Sequence, residues 1–120
     1  MIYLMLPLRT VNELNAHEHW RVRQRRAKAQ HNVVKLALWN RVYTLRAAMS
    51  KDETKRLAVQ LTRYSRGKLD SDGAVAAGKF VRDAVAECLG VDDGEERVTW
   101  HYRQERVPKG FAIQIRIEEI

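Results

Sequence analysis

Asp70 and Asp72 lie two residues apart, and the stretch that follows carries a single lysine, Lys79, before a second acidic pair, Asp92 and Asp93. In an extended segment, residues at i and i+2 share a face. Converging carboxylates repel one another, so they stabilise a fold poorly, but they hold a hard cation such as magnesium well. Phosphodiester hydrolysis needs an activated water and charge neutralisation on the phosphate, and carboxylate-held divalent ions supply both. Lys79 would steady the scissile phosphate or the leaving oxygen. The two acidic groups meet only if the strand after Asp93 runs beside the strand that ends near Asp70. The same residues also have plainer roles. Asp72 suits a helix N-cap, Asp92-Asp93-Gly94 suits a turn, and Lys79 suits a solvated helix face. Spacing alone leaves both readings open.

The elements around these residues follow from the hydrophobic pattern. Ile2 to Leu6 is a short apolar run stopped by Pro7, a buried strand. From about His17 to Met49 there is neither Gly nor Pro, and Val34, Leu38, Val42, Leu45 and Met49 recur on one helical face. That segment is one long helix or two with a break near Trp39–Tyr43. Leu57, Val59 and Leu61 alternate as a strand. Asp72 or Gly73 opens a helix whose stripe is Val81, Ala84, Val85 and Cys88, and Gly90 ends it. Val98, Trp100 and Tyr102, then Phe111, Ile113, Ile115 and Ile117, alternate on either side of a VPKG turn, which predicts an antiparallel hairpin. The expected class is α+β, a single domain over 1–120. A small mixed β-sheet is covered on one side by a long basic helix and a second helix.

The chain has 120 residues, a formal net charge of +7 and a pI near 9.9. Residues 1–68 hold 15 Lys/Arg against 4 Asp/Glu, whereas residues 69–120 hold 7 against 11. A basic half suits a polyanion and an acidic half suits a cation. The single cysteine, Cys88, excludes an intrachain disulfide and reads as a core filler in a cytoplasmic protein. The apolar start MIYLMLPL is too short to span a bilayer and lacks the marks of a signal peptide, so no membrane association is expected.

Arg21, Arg23, Arg25, Arg26 and Lys28 crowd one short segment and predict a phosphate-binding surface for DNA. On a helix they cover much of the circumference, so only some can face one strand. Trp20 either packs on the core, the commoner fate of a tryptophan, or stacks on a splayed base. His17 and His19, without cysteines or further well-spaced ligands, make a weak zinc signal, and His31 and His101 add nothing to it. There is no Gly-rich phosphate loop, dinucleotide fingerprint or Ser/His/Asp arrangement.

The segment LDSDGAVAAGKFVRDAVAECLGVDDGEERVTWHY resembles the central signature of the RusA family of Holliday junction resolvases, in the form carried by phages and prophages. That pattern is Asp-x-Asp, usually followed by Asn, then a helix with a lysine, then Asp–Asp before a strand. The apolar strand ending in LP, the turn with Asn12 and the basic EHWRVRQRRAKAQ segment extend the likeness over nearly the whole chain. The resemblance implies a homodimeric, magnesium- or manganese-dependent endonuclease that cuts four-way DNA junctions by paired nicks. It would use Asp70, Asp72, Asp93 and Lys79 in catalysis, with Asp92 beside them at the metal. A DNA-binding protein that keeps the fold without the chemistry is the alternative. Gly73 departs from the pattern, so an amide that would orient a carboxylate or reach the phosphate is missing. The proline-rich turn after the first strand is reduced to Pro7-Leu8-Arg9. For the dimer contact, the Phe111–Ile117 run, the Val98–Tyr102 strand and the far end of the long helix with Trp39, Tyr43 and Met49 are equal candidates.

Overall fold

The computed structural model describes residues 1–14, 18–92 and 94–120. In chain order the elements are β1 (Ile2–Leu6), α1 (Trp20–Leu38), α2 (Tyr43–Lys51), β2 (Leu57–Ser65), α3 (Ser71–Ala77), α4 (Lys79–Leu89), β3 (Val98–Arg106) and β4 (Ala112–Glu119). The long Gly- and Pro-free segment is therefore two helices, with the break at residues 39–42. What was expected as one helix after Asp72 is also two, α3 and α4, which meet at Gly78. Lys79 thus opens a helix instead of lying inside one. α4 stops at Gly90, which adopts φ 71°, a backbone conformation that costs glycine little. The Val91 amide bonds back to the Ala86 carbonyl to close the cap.

The sheet order is β1-β4-β2-β3. β4 is antiparallel to both β1 and β2, whereas β3 is parallel to β2. The expected β3–β4 hairpin does not form, because β2 lies between the two strands. The reason is burial. Ile113, Ile115 and Ile117 are almost fully buried, and an inner position covers them from both sides. β3 alternates buried or half-buried residues with the exposed Thr99, His101, Arg103 and Glu105, as an edge strand can. The Val107 amide bonds to the Ser65 carbonyl, carrying β3 past the end of β2 before the chain turns back.

Leu4, Leu6, Leu57, Val59, Leu61, Val98 and the three isoleucines share one face of the sheet. They pack with Val34, Leu38 and Val42 from α1 and its exit, Met49 of α2, and Val81, Ala84, Val85, Cys88 and Leu89 of α4. The helices therefore cover one face only. Cys88 is buried and free. Among the described residues, no helix is long and apolar enough to cross a membrane.

Candidate active site and nucleic-acid surface

β2, α3, α4 and β3 form a parallel crossover, with Leu57 level with Val98 and Ser65 level with Arg106. The segment leaving β2 is pinned at Leu69, whose amide and carbonyl both bond to the side chain of Gln104 at 2.9 and 2.8 Å. Asp70 follows directly. It caps α3, with Oδ1 accepting from the Gly73 amide at 2.7 Å. The N-cap is therefore Asp70, where the sequence favoured Asp72. Asp72 lies in the first turn of α3, exposed.

Asp72 lines an open cleft of about 810 Å³ together with Val75, Lys79, Arg82, Asp83, Tyr102, Glu13 and Arg23. Lys79 and Asp83 are four residues apart and face the same way from α4. Arg82 donates to the Tyr102 hydroxyl at 3.1 Å, and its guanidinium stacks 4.7 Å from the Trp100 ring centroid. Arg23 reaches in from α1, 5.8 Å from the Phe80 ring centroid and 3.9 Å from Glu13. Asp83, Arg82 and Tyr102 escaped the sequence reading, although the Lys79/Asp83 spacing on one helix was there to be seen.

Gly73 has a local explanation. A Cβ there would lie 2.6 Å from Asp70 Oδ1 and 2.7 Å from Asn12 Nδ2. The side-chain amide of Asn12, delivered from the loop after β1, thus fills the space that a side chain at position 73 would need. Asn12 is itself fixed by accepting from the Leu14 amide at 3.0 Å.

Asp92 does not join this site. Asp92 borders a separate depression with Glu53, Arg56, Glu95 and Arg97, next to the first residues of β2 and β3. Asp70 sits at the level of Gln104 and Asp92 beyond Val98. Six strand residues separate those levels, roughly 20 Å at about 3.3 Å per residue. A parallel crossover forces this, because its helices carry the chain back to the starting edge of the sheet before the next strand begins. Asp70, Asp72 and Asp92 therefore do not converge within one chain, contrary to expectation. Asp93 lies outside the described residues. Among the described residues, no group of three or more His, Cys, Asp or Glu side chains is placed to hold a metal ion.

The basic segment divides into three. Arg21, Arg25 and Lys28 line one exposed groove with Trp20 and Gln24. Arg23 turns to the cleft of Asp72 and Lys79. Arg26 is already committed to two carboxylates and is not an open phosphate ligand. It donates to Glu13 at 2.8 and 2.6 Å, and to Glu18 at 2.6 and 3.2 Å. These bonds, to Glu13 above all, push its pKa further up, and Arg26 in turn pulls Glu18 below the usual carboxylate range. Trp20 is not in the core but 57% exposed. His19 caps α1 through Nδ1, which accepts from the Arg21 amide at 3.2 Å. That lone pair is therefore unavailable to a metal. His17 lies outside the described residues.

No family model matches the chain, and no curated protein matches it either.

Proposed function

We propose that this protein is a divalent-metal-dependent, structure-specific endonuclease acting on branched DNA, with four-way junctions as the substrate class. The observation that carries the reading is the cleft in which Asp72, Lys79 and Arg82 face one space, with the basic α1 at its border. Magnesium commonly binds through one or two carboxylates plus the substrate's phosphate, keeping several waters, without a closed protein cage. Asp72, exposed in the cleft, fits that mode as a single carboxylate. When bound, the ion would neutralise the phosphate and lower the pKa of a water.

The chain's own residues would do the rest. Lys79 and Arg82 orient the phosphate, Arg23 draws the strand toward the cleft, and Gln104 holds the backbone that aims Asp70. Asp92 and Asp93 belong to the implied metal set, but Asp92 lies at the far end of the crossover, so a homodimer would have to bring it to the site of its partner. The separation of Asp92 also favours the second reading, a DNA-binding protein of this fold without cleavage.

Incubating a synthetic four-way junction with the protein, with and without magnesium, decides between the two. Paired, metal-dependent nicks that Asp72→Asn abolishes while junction binding persists are the expected outcome. Binding without any nicks in magnesium or manganese leaves the non-cleaving reading. Light scattering at micromolar concentration should show a dimer.

A further inference from the structure

The start of α1 carries a feature that the cleft does not use. Trp20, on the first turn, keeps 57% of its surface in solvent. Large aromatic side chains usually bury most of their surface. The neighbours of Trp20 are polar. Its groove, about 330 Å³, is completed by Arg21, Gln24, Arg25 and Lys28. The Arg21 guanidinium lies 5.4 Å from the indole centroid, and the His19 ring lies 5.5 Å away, tilted by 31°. From Trp20 to Leu38 there is no acidic residue. Arg21, Arg25 and Lys28 repeat at i, i+4 and i+7, a row along one side of the helix. The positive end of the helix dipole adds to their field. The nearby carboxylates Glu13 and Glu18 are occupied by Arg26, so they do not quench this row.

A flat aromatic face beside a row of cations matches one chemistry closely. An unpaired nucleotide offers a base face to the indole and phosphates to the row. A duplex offers phosphates only, because its bases are stacked inside. Gln24 adds a donor and an acceptor at the rim, able to meet a base edge.

We propose that Trp20, with Arg21, Gln24, Arg25 and Lys28, is a stacking platform for an unpaired nucleotide of single-stranded or unwound DNA. The inference rests on the nuclease reading, for which it identifies the opened strand near a branch point as the part of the substrate that the protein grips. The platform lies on the same helix as Arg23, so a strand held there continues toward the cleft of Asp72 and Lys79.

The test is fluorescence anisotropy with a labelled oligothymidylate and with a blunt duplex of equal length, for the full chain and three variants. Trp20→Ala should weaken oligothymidylate binding roughly 5- to 150-fold, the range for losing one base–aromatic stack. Duplex binding should stay within twofold. Trp20→Phe should recover much of the loss. The Arg25→Ala/Lys28→Ala variant should weaken both ligands and lower the slope of log affinity against log salt. Equal losses on both ligands with Trp20→Ala, or none on the oligothymidylate, would overturn the platform and leave the nuclease reading standing. A wild-type protein that binds neither DNA, or binds anionic phospholipid vesicles in their place, would overturn both.

Discussion

Replacing Arg26 by Met separates a structural arginine from the exposed basic residues around it. Arg26 makes a two-pronged contact with Glu13, whose side chain is 2% exposed, and is itself 16% exposed. Its outer partner, Glu18, is 31% exposed and contributes little, as solvated pairs do. Removing one member of a buried pair costs about 3–5 kcal/mol, because the other is left charged and dry. Arg23, 3.9 Å from Glu13, can recover a part, so we expect a loss of about 3 kcal/mol. At about 2.1 cal/mol/K per residue, unfolding this chain releases roughly 0.25 kcal/mol/K, which converts that loss to a fall in Tm of about 12 °C. Urea unfolding followed by circular dichroism should show a lower midpoint with an unchanged slope. Arg21→Ala should stay within about 0.5 kcal/mol of wild type. The Glu13→Gln/Arg26→Met pair should cost less than the sum of its singles, because both charges leave together. If Arg26→Met unfolds within 1 kcal/mol of wild type while DNA affinity falls, Arg26 is a phosphate ligand and the ion-pair argument is wrong.

Asp70→Ala should cost about 1 kcal/mol of stability through the lost cap, whereas Asp70→Asn should cost almost nothing. Both should stop cleavage, so comparing melting curves with nicking rates separates the two roles. Gly73→Asn should destabilise by about 1–3 kcal/mol, because its Cβ meets Asp70 and Asn12. A urea midpoint equal to that of wild type would show that the Asn12 side chain moves aside to admit the new one. Burial pushes the Cys88 thiol above its ordinary range, so iodoacetamide at pH 8 should leave the native protein unlabelled and label it fully in denaturant.

The strands and most helix ends were readable because their signals are local: alternation at Leu57–Leu61 and Ile113–Ile117, a glycine stop at Gly90, and a periodic stripe from Val34 to Met49. Strand neighbours were not readable. Alternation says that Ile113, Ile115 and Ile117 share a face, but not which strands flank them, and the short VPKG connection suggested a hairpin that the sheet does not contain. The site divided in the same way. Asp72 and Lys79 line one cleft, whereas Asp70 is spent on the cap of α3. Asp92 lies apart, because proximity in sequence across one helical crossover is distance in space. Arg26 looked like its basic neighbours, and only its contacts with Glu13 and Glu18, 13 and 8 residues away in sequence, set it apart.

The position of β4 has a kinetic consequence. It follows the other three strands of the sheet in sequence, yet it holds an inner place and supplies the partner for β1. Until Ala112–Glu119 has emerged from the ribosome, β1 has no ladder to join and β2 exposes one hydrogen-bonding edge. Pairing β1 with β4, more than 100 residues apart, is the slow, long-range closure that makes such topologies lag behind local ones. During synthesis, the completed β2–β3 crossover would wait with Leu57, Val59 and Leu61 incompletely covered, a state open to chaperones and to aggregation.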